Sequence, residues 1–272
     1  MKIKDLLQSN QDINQNIKKE LLSSLLSMTK SELILNLDQD LSTKKLITYK
    51  KYIKKIKKGI PYQYVLNQSF FYNNSFYVNQ NVLIPRPETE VLVEELSKYI
   101  KTVFNSPVNI LDIGTGSGNI AITLKKINEN YQITASDISN KALKVAKKNA
   151  KSNNTKIKFI KSDLFKKIKG QFQVIVSNPP YIPYKSKYVE EIVKNNEPHQ
   201  ALYAKNDGLY FYQEIIKNAK EYLTPKNIIA FETGENEHQA IIKLAKKNYP
   251  NAKIYSKKDY NNFERYIFII ND

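Results

Sequence analysis

The 272-residue sequence contains no cysteine and no tryptophan. Without cysteine the chain can form neither a disulfide framework nor a thiolate zinc site, and only His199 and His238 could supply imidazole ligands, so we expect no metal centre. No stretch approaches about 18 uninterrupted apolar residues, and the N-terminal residues carry charges and amides where a signal peptide needs an apolar run. These absences predict a cytoplasmic protein with no membrane partner.

Arginine is also scarce. Arg86 and Arg265 are the only arginines, so lysine supplies 41 of the 43 basic residues behind the formal net charge of +17. Scattered lysines form a solvated surface more often than a specific phosphate site, which favours arginine, and a nucleic-acid substrate is therefore not the favoured interpretation. The two remaining arginines are expected where a planar, bidentate donor is needed.

The length of the chain corresponds to about two domains. Over the first 60 residues, apolar side chains recur at steps of three and four, as at Leu46, Tyr49 and Ile53, which predicts helices. Lysines crowd the polar face of the last of these helices, at 44–58. This face is interpreted as a solvated surface, with docking of an acidic partner or RNA as the alternative.

The pattern of residue types changes after residue 67. Aromatic and β-branched runs around Asn73 and Ser75 predict a short hairpin, and after Glu88 strand, turn and helix alternate. Strands are predicted at 108–113, 133–136, 156–160, 172–176 and 228–232, near 254 and at 266–270. This pattern predicts an α/β fold: a doubly wound, Rossmann-like, mostly parallel sheet with an antiparallel C-terminal strand. The predicted parts are an all-helical N-terminal domain (1–67), a β-hairpin linker (68–90) and the sheet domain (91–272).

Three of the seven glycines, Gly114, Gly116 and Gly118, lie within five residues directly after the strand VNILDI. A glycine-rich turn between strand and helix lets a ligand approach main-chain N–H groups at the helix N-terminus. The spacing does not fit a dinucleotide fingerprint, because Asn119 occupies the position of its third glycine, and no Lys-Ser/Thr pair completes a P-loop. NAD and ATP are therefore disfavoured as ligands.

The segment ILDIGTGSG resembles the first motif of class I S-adenosylmethionine-dependent methyltransferases. The resemblance implies S-adenosyl-L-methionine as cofactor and S-adenosyl-L-homocysteine as product. It also implies that Asp137, 19 residues beyond Gly118, accepts hydrogen bonds from the ribose hydroxyls, since a carboxylate offers two acceptor oxygens. The residues implied to bind the cofactor are Gly114, Thr115, Gly116, Ser117, Gly118, Asp137, Asp163, Leu164 and Asn178.

A fourth strand ends in VIVSNPPYI, which places Asn178-Pro179-Pro180-Tyr181 at the carboxyl edge of the predicted sheet. The position resembles the Asn/Asp-Pro-Pro-aromatic motif of amino-methyltransferases. An amide nitrogen is a poor nucleophile, so its NH₂ group must be held by acceptors, here the Asn178 side-chain oxygen and the Pro179 carbonyl. Proline adds no competing donor, and Tyr181 is expected to form an aromatic wall. We predict these four residues to be catalytic and to bind the substrate.

The motif alone does not separate protein glutamine from a nucleobase amine as the acceptor. Across nearly its whole length, however, the chain resembles the peptide chain release factor glutamine methyltransferases, the HemK/PrmC family, in segments that include SNPPYI and EPHQAL and most specifically in PRPETE. The resemblance implies methylation of the Gly-Gly-Gln glutamine of release factors, with Arg86 and Glu197 helping to bind the substrate and the helical domain docking it. Methylation of ribosomal-protein glutamine or of a nucleic-acid amine is the alternative. Departures from the family are Asn67, where many members have glycine, and Leu164, where some have an aromatic ring.

Overall fold

A computed structural model of the protein describes residues 1–186 and 189–272. The chain forms two compact units, Met1–Gln68 with Glu190–Asn196 and Ser69–Val189 with Glu197–Asp272. The first continuous segment ends one residue after the predicted boundary at 67. The sequence pattern gave no sign that 190–196 would group with the N-terminal helices.

The first unit is helical, because its apolar side chains recur at helical spacing and bury one common core. Helix α3 begins with a capping box, in which Thr29 and Glu32 satisfy each other's backbone N–H groups. Asn67 ends α5 at φ +53°, a left-handed conformation that asparagine tolerates and glycine favours. The helices of this unit are α1 (Ile3–Gln8), α2 (Gln15–Leu26), α3 (Lys30–Leu35), α4 (Thr43–Ile56), α5 (Tyr62–Leu66) and α9 (Glu191–Asn196).

The second unit is an α/β layer structure that follows a short hairpin. Its strands are β1 (Ser69–Phe71), β2 (Asn74–Phe76), β3 (Asn109–Ile113), β4 (Gln132–Asp137), β5 (Lys158–Lys161), β6 (Phe172–Ser177), β7 (Ile182–Pro183), β8 (Tyr203–Ala204), β9 (Leu223–Glu232), β10 (Lys253–Lys258) and β11 (Glu264–Asn271). Its helices are α6 (Pro87–Val103), α7 (Asn119–Ile127), α8 (Asn140–Ser152), α10 (Tyr210–Asn218) and α11 (His238–Asn248), with 3₁₀ turns at His199–Ala201 and Ala219–Glu221.

Among the described residues, the main sheet has seven strands in the order β10-β11-β9-β6-β3-β4-β5. Strands β3, β4, β5, β6 and β9 pair in parallel, whereas β11 runs antiparallel to both β9 and β10. The predicted fold class, including the antiparallel C-terminal strand, is confirmed. The strand order reverses between β3 and β6, and ligands bind at such switch points in doubly wound sheets.

Both faces of the sheet are covered, as a parallel sheet of β-branched and apolar residues requires. Helices α6, α7 and α8 pack on one face around Leu96 and Ile110, and α10 and α11 pack on the other around Ile175 and Phe231. These cores hold the carboxyl ends of β3 and β6 as neighbours. Within the described ranges, no helix is both long enough and apolar enough to cross a bilayer.

Candidate active site

A cavity opens at the carboxyl ends of the central parallel strands. Residues predicted to bind cofactor or substrate that line it are Arg86, Gly114, Thr115, Gly116, Ser117, Asp137, Asp163, Leu164, Asn178, Pro179 and Pro180. The cavity therefore brings together the glycine loop, the ends of β4 and β5, and the Asn-Pro-Pro segment. The rest of its wall comes largely from the segments after β2 and before β8, including Asn81, Leu83, Pro198 and Gln200.

The glycine loop is held against the next strand by its backbone. The N–H groups of Gly114 and Thr115 both donate to the Ser136 carbonyl at 2.9 Å, which fixes the turn out of β3. Gly114 and Gly116 have φ of +75° and +55°, and neither position has a side chain between its backbone and the cavity. The loop therefore leaves main-chain atoms accessible to a ligand at the N-terminus of α7.

Gly118 is required for a different reason. It does not line the cavity, and a Cβ there would lie 3.0 Å from Ile122 Cδ1 and 3.3 Å from Ala146 Cβ. The absent side chain allows the loop to pack closely on α8. On that helix the buried Asn149 donates to the Ser117 carbonyl at 2.9 Å, which holds the end of the loop in place.

Asp137 ends β4 with its carboxylate in the cavity wall. Its two oxygens accept from the backbone N–H groups of Ser139 and Gly116, at 2.8 and 2.9 Å. Burial raises the pKa of Asp137, and these two backbone donors oppose that shift. Each oxygen keeps further acceptor capacity, so the carboxylate can bind a pair of adjacent hydroxyl groups.

Asp112 is a second buried carboxyl group beside the loop, and sequence reasoning did not place it in the site. Its Oδ2 accepts from the Thr115 hydroxyl at 2.6 Å, and the backbone N–H of Ala121 also favours the charged form of the carboxyl group. Burial raises the pKa of Asp112 to about 7; the Thr115 hydrogen bond opposes this shift and the nearby Asp137 adds to it. Asp112 does not line the cavity, but its bond to Thr115, which does, supports the glycine loop from behind.

Asp163 and Leu164 follow β5, and the two differ in what they offer. The Asp163 carboxylate pairs with Lys166 at 2.7 Å and is 43% exposed, so it is a surface ion pair. Leu164 adopts φ +47° and also packs against the apolar core between the sheet and helices α10 and α11. Of the two side chains, Leu164 is the one that can provide an apolar wall for a flat ring.

Asn178 and Pro179 leave β6 beside the end of β3. The Ser177 hydroxyl donates to the Ile113 carbonyl at 2.7 Å and ties the two strand ends together. The Asn178 side chain bonds to the Thr89 hydroxyl at 3.2 Å, and Thr89 in turn bonds to Glu232 at 2.7 Å. Thr89 lies in the PRPETE string and Glu232 ends β9, but neither had been predicted as a site residue.

Tyr181 does not line this cavity. An added Cβ on Gly234 would lie 2.9 Å from Tyr181 Cδ2, and one on Gly208 would lie 2.3 Å from the Tyr181 carbonyl oxygen. Burial raises the pKa of Tyr181 to about 12, and the nearby Glu232 adds to the shift. Tyr181 can therefore pack here only because the residues at 208 and 234, from distant segments, are glycines without side chains. Its predicted role as an aromatic wall stays a prediction.

The packing at Gly208 gives a matched test of stability. Gly208 and Gly170 have nearly the same φ, +89° and +92°, but only Gly208 has atoms within 4 Å of an added Cβ. Both alanine variants incur the strain of a left-handed backbone, and Gly208→Ala also forces Tyr181 to move. We expect Gly208→Ala to lower the free energy of unfolding by about 1–3 kcal/mol more than Gly170→Ala, measured by urea titration. Equal losses would contradict the packing described here.

Arg86 and Glu197 form an ion pair at one side of the cavity. Arg86 Nη2 lies 2.5 Å from Glu197 Oε1, while the Ile84 N–H donates to Oε2 at 3.1 Å. The Glu197 side chain is 1% exposed and does not line the cavity, whereas Arg86 is 32% exposed and does. Glu197 can therefore reach a substrate only by fixing Arg86. The other arginine, Arg265, donates hydrogen bonds to Asp259 and to the Thr233 carbonyl, so its role is to hold these two segments together.

Comparison with known proteins agrees with this geometry. Two family models match the chain, Methyltransferase small domain over residues 87–201 and PrmC N-terminal domain over residues 2–66. A solved 16S rRNA N2 G1207 methyltransferase of Thermus thermophilus superposes with a TM-score of 0.54 at 13% identity, covering 75% of this chain and 50% of that one. The fold is thus that of the Rossmann-like methyltransferases.

Curated relatives show which family of methyltransferases the chain belongs to. The chain is 35% identical to a release factor glutamine methyltransferase of Bacillus cereus, over 94% of this chain and 92% of that protein. It is 36% identical to the corresponding protein of Bacillus subtilis, over 88% and 85%. The chain belongs to the release factor glutamine methyltransferase family, which confirms the resemblance read from the sequence.

Proposed function

We propose that the protein transfers a methyl group from S-adenosyl-L-methionine to the side-chain amide nitrogen of the glutamine in the Gly-Gly-Gln motif of peptide chain release factors. The observation that carries the proposal is the cavity in which the glycine loop and Asn178-Pro179 lie together at the switch point of the sheet. The choice of release factor as the substrate is supported by relatives that bear this name over nearly the whole chain. Translation termination is cytoplasmic, so the proposed site of action is the cytoplasm.

The residues around the glycine loop fit S-adenosyl-L-methionine. Gly114 and Gly116 leave backbone open to the ligand, Asp137 offers acceptors for a pair of ribose hydroxyls, and Leu164 offers an apolar surface for adenine. When bound, the cofactor supplies a methyl group on a positively charged sulfur, and S-adenosyl-L-homocysteine is the product.

The chain's own residues would act on the glutamine by holding it. The Asn178 Oδ1 and the Pro179 carbonyl oxygen would each accept one N–H of the amide, which favours loss of planarity and turns the nitrogen lone pair towards the cofactor. Proline contributes no N–H that could compete for these acceptors. The nitrogen becomes acidic as it gains the methyl group and can release its proton to water, so no general base is required. Positioning of this kind is worth about 7–11 kcal/mol in favourable cases.

Recognition of the release factor would extend beyond the tripeptide. Three residues bury far less area than the roughly 800 Å² per partner of a specific interface. We propose that the helical domain, assigned to residues 1–67, supplies further contacts to the body of the factor. Arg86, at the cavity wall and fixed by Glu197, would contact the polar backbone of the bound segment.

A competition assay tests the choice of substrate. Purified protein is incubated with methyl-labelled S-adenosyl-L-methionine and equal concentrations of a release factor, ribosomal proteins and ribosomal RNA. We expect label in the release factor and background label elsewhere. Label that follows ribosomal protein or RNA instead would reject the proposed substrate and retain the proposed cofactor.

A further inference from the structure

A hydrogen-bonded chain leads away from Asn178 into the protein interior. The Asn178 amide bonds to Thr89 Oγ1 at 3.2 Å, and the Thr89 hydroxyl donates to Glu232 Oε2 at 2.7 Å. Thr89 and Glu232 are 2% and 3% exposed, so the bond between them is shielded from water, while the Asn178–Thr89 bond lies in the cavity wall. The three residues come from the ends of β6 and β9 and the first turn of α6, which are distant in sequence.

The donors and acceptors in this series of hydrogen bonds are fixed by Glu232, the residue at its buried end. An ionised carboxylate only accepts hydrogen bonds, so the Thr89 hydroxyl must spend its single proton on Glu232. The Thr89 oxygen can then only accept from Asn178, which requires the NH₂ end of the amide. The nearby Asn178 amide also lowers the pKa of Glu232, against the effect of burial. The Oδ1 end is thereby left for the cavity.

From this direction we propose that Thr89 and Glu232 are positioning residues, which keep the Asn178 oxygen, rather than its NH₂ group, turned towards the glutamine amide. The proposal rests on the proposed function, because it assigns these residues a task in the same reaction. An asparagine free to rotate by 180° would present donors to a substrate NH₂ group that itself only donates. The wrong orientation is therefore repulsive and would not support transfer.

The burial of Glu232 supports a task beyond stability. Within the described residues Glu232 forms no salt bridge, and the nearby Arg265 pairs with Asp259 instead. A buried carboxylate is costly to keep charged, and hydrogen bonds to it offset only part of that cost. A structural role alone could be filled by an apolar residue. Orientation of an amide, in contrast, requires an obligate acceptor at the end of the chain.

The charge state of Glu232 predicts a pH dependence. The groups that face Glu232 are Thr89 and Glu88 on α6, Asn178 and Tyr181 after β6, Tyr212 on α10, and Arg265 and Tyr266 on β11; Glu237, before α11, lies beyond Tyr181 and Tyr212. Burial raises the pKa of Glu232 to about 7, against the hydrogen bond from Thr89 and the charge of Arg265. Once protonated, Glu232 can donate to Thr89, and the chain can reverse. Methyl transfer should therefore fall as pH drops through about 7.

Three variants test the positioning role. Thr89→Val removes the hydroxyl at nearly constant shape, Thr89→Ser restores it, and Glu232→Gln replaces an obligate acceptor by a group that can donate or accept. We expect kcat to fall about 10- to 100-fold in Thr89→Val, with the dissociation constant for S-adenosyl-L-methionine within about threefold of wild type. Thr89→Ser should recover most of kcat. Thr102→Val, on the same helix with its hydroxyl on the Lys98 carbonyl, is the control and should match wild type.

The pH profile separates positioning from simple loss of structure. In the wild type, kcat should show an acidic limb near pH 7, and in Glu232→Gln this limb should disappear while kcat at high pH stays low. If Thr89→Val keeps wild-type kcat and the same profile, the inference is wrong. The inference is also wrong if Thr89→Val loses cofactor affinity and thermal stability in proportion to its loss of activity, and Thr89→Ser does not restore the activity.

A measurement without turnover separates this inference from the proposed function. The Asn178 side-chain NH₂ signals, assigned in ¹⁵N NMR spectra by their loss in Asn178→Ala, should shift with pH near 7 in the wild type and not in Glu232→Gln, which lacks the titrating group. Signals that do not titrate in the wild type would overturn the inference. A protein that shows this titration but methylates no release factor would overturn the proposed substrate and leave the hydrogen-bonded chain intact.

Discussion

Replacing Asn178 with alanine is expected to lower kcat for release factor methylation about 10²- to 10³-fold, the size of effect seen when one preorganised polar contact to a reacting group is removed. The reason lies in where the side chain points. Asn178 is in the cavity wall and carries one of the two acceptors proposed for the glutamine NH₂ group. The Pro179 carbonyl alone can accept only one N–H of the glutamine amide. The nitrogen lone pair is then no longer held in line with the methyl group of the cofactor.

The same variant should bind S-adenosyl-L-methionine within a few fold of wild type, as measured by calorimetry. The glycine loop and Asp137 are on other strands and do not depend on the Asn178 side chain. Asn218→Ala, at the C-terminal end of α10 with its side chain on the Glu214 carbonyl, is a control that should leave both quantities unchanged. Equal losses in turnover and cofactor affinity would show that Asn178 is chiefly a cofactor residue.

Replacing Asp137 with alanine is expected to raise the dissociation constant for S-adenosyl-L-methionine by about 100-fold, because hydrogen bonds to a charged acceptor contribute about 1.5–3 kcal/mol each. The variant also frees the Gly116 N–H that Asp137 accepts at 2.9 Å, so the loop loses part of its support. At saturating cofactor, kcat should fall much less than affinity does.

Asp163 provides the matched comparison, because it is a carboxylate in the same cavity wall at the end of the adjacent strand. Its oxygen is already paired with Lys166 in a half-exposed ion pair. Asp163→Ala should therefore change cofactor affinity only a few fold. If Asp163→Ala weakened binding as strongly as Asp137→Ala, the division of roles between the two carboxylates would be wrong.

Much of the site could be predicted because local sequence dictates it. Three glycines in five residues after an apolar strand specify a strand-to-helix turn open to a ligand, and two prolines after β6 specify an extended edge. The alternation of strands and helices then places both segments at one edge of a parallel sheet. For these reasons the glycine loop, Asp137 and Asn178 meet in the structure without any long-range information being needed.

The rest depends on contacts between segments far apart in the chain. Nothing local to Thr89 or Glu232, 143 residues apart, indicates that they bond to each other. Tyr181 was expected to form an aromatic wall, which stays a prediction, and nothing local to it indicates that it packs against the glycines at 208 and 234. Asp112 belongs to the ILDIGTGSG motif, but only the fold shows that it is fully buried and bonded to Thr115 rather than part of the cavity wall.

The central claim is methyl transfer to one glutamine, and peptide mass spectrometry tests it most directly. A release factor is incubated with the protein and S-adenosyl-L-methionine, digested, and the Gly-Gly-Gln peptide is fragmented, with a Gln→Ala factor as control. The account predicts one added methyl group on the glutamine side chain, absent from the control and absent with Asn178→Ala. An unmodified glutamine in the presence of bound cofactor, or a methyl group on another residue, would contradict it.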